Sequence, residues 1–400
     1  MLLYYNKSCF WILLQLHGSV FYRWDTLLGS LIVAMLGGVV QYLRDAGWEY
    51  APSVMHHYGF QALGAGVTFA IVFRTQLAWN RYWEACTQLH IMYSKWTDTF
   101  AQFQAFASVS DEAAMEKGDK RKAAFLRQKQ KRVQTNFALL SMVVADRLHM
   151  GDNQEMEEAR ARWATTRANL RVCKDSQLFN LPDMILKKDF DRKHAQEGVY
   201  VVLQRPSREQ VELLEQSNDP VSTVMYWIVW DLADVMRFLD VAPPIQSRMY
   251  QELSNGMLGY NNCLKIADVP FPLPFAQLLG LLLASFSVFI PIYVVVFTGS
   301  PVAGPILSFF LHASLWCLNE VAKELENPFG EDINDISLVD FHGDFVDMLE
   351  DVCKPKQEAM LRNPSMGIEG LDPRLVDPEV TASEVTSTHA SCVEVLQEAL

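Results

Sequence analysis

Ala65, Phe69 and Phe73 recur every four residues and so share one face of a helix. Such a face has two uses. Turned to lipid or packed against a neighbour, it is ordinary apolar surface. Gathered around an axis by several copies of the helix, it closes a narrow dry constriction of the kind that gates by dewetting. The positive edge of each phenyl ring also tolerates a passing anion. The spacing alone leaves both uses open.

A second group of residues has oxygen chemistry. In Glu326-Asn327-Pro328-Phe329-Gly330-Glu331-Asp332-Ile333-Asn334-Asp335, three carboxylates and an asparagine fall within five residues after a Pro-Phe-Gly turn. Hard cations such as Ca²⁺ take several oxygens, backbone carbonyls among them. The segment is not an EF-hand, because the loop glycine is absent and Gly343 stands where the terminal glutamate belongs. The plain alternative is an acidic, solvated helix start. His56-His57 reads as an interfacial pair, since adjacent histidines diverge on a helix and no third ligand is near in sequence. His312 is a further isolated candidate, and Glu320 is expected to pair with Lys323 or Arg81. No phosphate-binding loop, nucleophile elbow or HExxH motif occurs, which argues against an enzyme.

Four apolar stretches must position these residues. Thr26–Leu43 is uncharged and long enough to cross a bilayer; Gly59–Val72 reaches across once Phe73–Ala78 are added. Small residues at Ala62, Gly64, Gly66 and Ala70 let backbones approach closely in lipid. Phe275–Phe297 carries no charge, and after the turn Thr298-Gly299-Ser300-Pro301 the stretch Val302–Leu318 returns as the fourth span. The second span enters the polar helix of Trp79-Asn80-Arg81-Tyr82-Trp83-Glu84 without a turn signal, so a continuous rod is expected. Arg23, Arg74, Arg81, Lys265 and Lys323 flank the ends opposite the uncharged turn, which puts both termini and the polar region on the cytoplasmic side.

Six regions follow: an interfacial helix over residues 1–24, two spans over 25–78, a cytosolic helical region over 79–270, two further spans over 271–320, the acidic cluster and a last helix over 321–359, and a disordered tail over 360–400. Within the polar region, helices are expected over Met115–Arg147, Met156–Arg171, Ser207–Gln216, Val221–Leu239 and Ile245–Ile266, with one short strand at Val199–Leu203. The fold class is therefore an all-α membrane protein. Half of the 400 residues are hydrophobic, as a few spans plus a large aqueous part require, and a net charge of −13 argues against nucleic acid. Seven scattered cysteines without a CxxC read as reduced and structural. Neither a signal peptide nor a transit peptide is legible at the start.

Taken in order, four segments resemble the bestrophin family, and most closely its plant, algal and bacterial branch. They are His17-Gly18-Ser19-Val20, then Phe73-Arg74-Thr75 with Asn80-Arg81-Tyr82-Trp83-Glu84, then Ile266-Ala267-Asp268-Val269-Pro270-Phe271-Pro272, and finally Glu326-Asn327-Pro328-Phe329-Gly330-Glu331-Asp332. Together they cover about Leu14 to Leu349. The resemblance implies a homopentameric anion channel with chloride as the permeant ion and bicarbonate as a second candidate. Its neck falls on Ala65, Phe69 and Phe73, with alanine replacing a bulkier aliphatic residue and implying a wider outer end. A cytosolic aperture falls at Pro244 and Ile245. A Ca²⁺ clasp is implied with side-chain ligands Asp332 and Asp335 and carbonyls of Glu324 and Asn327, weakened where Ile333 and Asn334 break the aspartate run. Partners are then copies of the same chain and membrane lipid, in a plasma membrane or a chloroplast thylakoid membrane. The rival reading is a membrane-anchored scaffold that docks a cytosolic partner through its helical region and tail.

Overall fold

The computed structural model describes residues 18–49, 56, 58–149, 184–186, 200–330, 332 and 334–354. Helix Met156–Arg171, the interfacial segment before Gly18 and the tail beyond Lys354 lie outside them. Residues Met1–Leu349 form one compact unit and Glu350–Leu400 a second.

A 3₁₀ turn at Val20–Tyr22 leads into α1 (Trp24–Asp45), and α2 (Tyr58–Glu116) follows as one helix of 59 residues. At about 1.5 Å per residue it is a rod of about 90 Å, and its apolar end passes into its polar end without a break, as its sequence implies. The next helices are α3 (Lys120–His149), α4 (Arg208–Gln216), α5 (Pro220–Met236) and α6 (Pro243–Asp268). After them come α7 (Leu273–Thr298), α8 (Ala303–Glu326) and α9 (Leu338–Val352). Two strands, β1 (Met184–Leu186) and β2 (Tyr200–Val202), pair in parallel with Ile185 opposite Val201. The expectation of a strand near Val199–Leu203 holds, while its partner is invisible in sequence because a three-residue strand has no period to read. The expected helix Met115–Arg147 is broken at Lys117-Gly118-Asp119, where Asp119 Oδ1 accepts the Lys122 N–H at 3.0 Å and caps α3.

Three described helices, α1, α2 and α7, are long and apolar enough to cross a membrane. The stretch expected as a fourth span is helical, as α8, but it is less apolar and is not among these three, with Ser308, His312 and Asn319 along it. These groups face inward: Ser308 and His312 are buried, and Ser30 Oγ on α1 meets His312 Nδ1 at 3.0 Å. Around them Val33, Val67, Ile71, Leu279, Leu283, Phe286, Ile290 and Leu315 make one apolar core from α1, α2, α7 and α8.

Lower on the rod, α6 lies along α2 around the fully buried Trp96. A Cβ on Gly256 would stand 2.3 Å from that indole, so only glycine permits this approach. One turn further on, α2 packs on α3 through Phe100 and Phe137, whose rings meet edge-on at 5.7 Å. Asp231 on α5 is wholly buried between Lys129 at 2.9 Å, Arg132 at 3.0 Å and Asn136 at 3.0 Å, and ties α5 to α3.

Candidate functional site

Helical geometry decides which face of α2 is free. Val67, Ile71, Arg74 and Ala78 are buried, and the opposite stripe of Ala65, Phe69 and Phe73 is exposed, with Phe69 at 74% and Phe73 at 45%. The two rings stack on each other at 6.4 Å and 10° between planes, and Phe73 meets Phe275 of α7 at 6.0 Å. At helical spacing the same stripe continues as exposed Gln76, Asn80, Trp83 and Thr87, with exposed Glu84 beside it, and Gln76 Nε2 donates to Asn80 Oδ1 at 3.2 Å. The three expected neck residues therefore lie on one open face, followed along the helix by the amides of Gln76 and Asn80 and the indole of Trp83.

Pro244 and Ile245 open α6, far along the chain from that stripe. Proline suits the first helical turn, where its missing N–H has no partner to lose. Both residues are exposed, so they present apolar surface at a helix start.

The acidic loop after α8 is held by its own hydrogen bonds. Phe329 is buried as its anchor, the Ile336 N–H donates to Pro328 O at 2.9 Å, and the Gly330 N–H donates to Asn327 O at 3.3 Å. A Cβ on Gly330 would come within 2.7 Å of Asn327 Nδ2 and 2.8 Å of Asp335 Oδ2, so a larger residue would displace those two side-chain ends. Asp335 is buried and its Oδ2 accepts the Asp332 N–H at 2.7 Å. Burial pushes its carboxyl up to about 7; the hydrogen bond from Asp332 works against this, and the nearby Asp332 and Glu324 charges add to it. Asn334 Nδ2 donates to Gly18 O at 3.1 Å and to Glu324 Oε2 at 3.0 Å, joining the residues before α1 to the end of α8.

The implied calcium ligands lie in this loop. The Asn327 carbonyl accepts one N–H and so does the Asp335 carboxylate, which leaves each a lone pair. Among the described residues no three metal-ligating side chains converge. Asp332 and Asp335, with the carbonyls of Glu324 and Asn327, are the oxygens that the family resemblance offers to a calcium ion.

The remaining candidates find ordinary partners. Glu320 pairs with Lys323 at 2.5 Å, as expected, and with Arg23 at 3.4 Å. Arg81, the other expected partner, instead donates to the Ile266 carbonyl. His312 stacks on Trp316 at 5.7 Å, and of the His56-His57 pair only His56 is described, 5.9 Å from the Tyr58 ring.

Sequence reasoning missed the strongest polar contact at this level. Arg74 is 5% exposed, and its guanidinium grips both carboxylate oxygens of Glu326, with Asn319 as a third acceptor. An arginine inside an apolar run is the signal that pointed to it, since such a charge needs a partner in the protein interior.

Helices of this length and hydropathy, packed around one rod, define a helical protein of membrane type. The profile of the bacterial/fungal bestrophin proteins matches residues 3–351, so the chain belongs to that family. Solved structures agree in fold. A mutant form of a bacterial bestrophin homologue from Klebsiella pneumoniae is 14% identical, with 82% of this chain and 98% of that one covered and a TM-score of 0.57. A second mutant form of the same homologue reaches 0.59 at 14% identity over 82% and 98% of the two chains. A third structure, solved by zinc phasing, gives 0.57 at 15% identity over 82% and 97%. No curated protein matches the chain in sequence.

Proposed function

We propose that the chain is an anion channel that passes chloride, with bicarbonate as a second candidate, through a central pore shared by five copies. In this reading α1, α2, α7 and α8 are the four spans, and the α2 of each copy turns its open stripe to the axis. One observation carries the proposal: the exposed stripe of α2 runs from Ala65, Phe69 and Phe73 through Gln76, Asn80 and Trp83 to Thr87, opposite a buried face. Phenyl edges at a dry constriction suit a partly dehydrated anion, and amide N–H groups beyond it supply donors as water returns. Pro244 and Ile245 fit a second, cytosolic constriction. Should calcium take part, Asp332 and Asp335 would supply side-chain oxygens and Glu324 and Asn327 carbonyls.

The test is chloride and iodide flux through proteoliposomes holding the purified chain. Phe69→Ala and Phe73→Ala are expected to raise flux or flatten the preference among anions. Unchanged flux and selectivity in both variants would show that the rings face lipid or a neighbour. A wild-type protein that passes no anion under any calcium or voltage condition supports the scaffold instead.

A further inference from the structure

Arg74 follows Phe73 on α2 and, about 100° further round, turns to the buried side. Its Nε and Nη2 donate to Glu326 Oε1 and Oε2 at 2.5 and 2.8 Å, and its Nη1 donates to Asn319 Oδ1 at 2.8 Å. The guanidinium also lies 5.3 Å above the Phe271 ring. Phe271 meets Phe275 edge-on at 5.5 Å, and Phe275 meets Phe73 at 6.0 Å. Contacts thus run from Phe73 through Phe275 of α7 and Phe271 just ahead of that helix, and back to the next residue of α2.

A planar guanidinium held by two parallel bonds to a carboxylate has a fixed direction, which a point charge would not. Neighbouring residues on a helix lie about 100° apart around its axis, so fixing Arg74 fixes the rotation of α2 at this level. Phe69 has no comparable hold of its own: it is 74% exposed, with its ring stacked only on Phe73 among the described aromatic contacts. We propose that Arg74 is a positioning residue, whose two-pronged grip on Glu326 sets the direction in which Phe69 and Phe73 point. The proposal rests on the pore reading above. Glu326 ends α8 and opens the turn anchored by Phe329, so the aim of the two rings is referred to a rigid part of the fold.

The experiment is the iodide-to-chloride flux ratio of the full chain in proteoliposomes. Arg74→Lys keeps the charge and loses the fork. It is expected to shift the ratio about twofold or more, the scale of coupling between residues in contact. Arg74→Met combined with Glu326→Gln leaves no buried charge unpaired and is expected to shift the ratio the same way. Wild-type ratios in both, alongside shifted ratios in Phe69→Ala and Phe73→Ala, overturn the positioning role and leave the pore intact. Wild-type ratios in all four sink the pore reading itself. Should Arg74→Lys not assemble, the double variant decides; failure of both to assemble also counts against the proposal, since it marks a bond needed for folding rather than for aim.

Discussion

His342 shows how one buried side chain sets a condition on the whole fold. Its Nε2 meets the Val201 carbonyl at 2.7 Å and must donate there, so Nδ1 is an acceptor for the Ser141 hydroxyl at 2.8 Å. Ser141 then accepts from the Tyr93 hydroxyl at 3.1 Å, and a directional chain joins α2, α3, α9 and β2. Burial pushes the imidazole down to about 4 from its ordinary 6.5, although the carbonyl partner works the other way. The unfolded chain therefore takes up the proton more readily. This contribution is complete above pH 6.5, fades as pH falls towards 4, and amounts in full to about 3 kcal/mol. His342→Phe is expected to remove that part of the acid sensitivity: the gap in thermal midpoint between wild type and variant should narrow from pH 7 to pH 4. A gap constant across that range would mean the histidine is not held neutral. None of this was legible in sequence, where His342 is one polar residue in an amphipathic helix. The shared face of Phe69 and Phe73 was legible, because it follows from a spacing of four.

Helix boundaries were readable wherever a local signal marks them. Ser207 forms a capping box with Gln210, and Asp219 caps α5 just ahead of Pro220. What joins the helices was not readable. Lys129 and Asp231 are 102 positions apart, and neither stands out on its own helix. Asp231→Ala is expected to cost about 3 kcal/mol, the lower end for a broken buried pair, because Lys129 keeps Asp234 at 2.9 Å. Denaturant unfolding of the purified protein checks this, and a loss below about 1 kcal/mol would mean that the pair is effectively solvated.

At the scale of the molecule, the open stripe of α2 asks for company. A single copy leaves Phe69, Phe73 and the amide positions beyond them on an open face, and five copies around one axis would cover it. The native mass of the detergent-solubilised particle is expected to be five times that of the chain; a monomer in lipid would remove the basis for a shared pore. The sequence by itself determined the helical class, the place of the apolar helices, the unbroken rod and the stripe of Ala65, Phe69 and Phe73, since each is written in the period and length of a local apolar pattern. The tertiary structure alone decided that Arg74 is gripped by Glu326, that Asn334 links Gly18 to Glu324, and that β1 pairs with β2. Arg74 and Glu326 stand 252 positions apart, Asn334 and Gly18 316. Contacts at such separations depend on how helices are laid against each other, and no local periodicity encodes that.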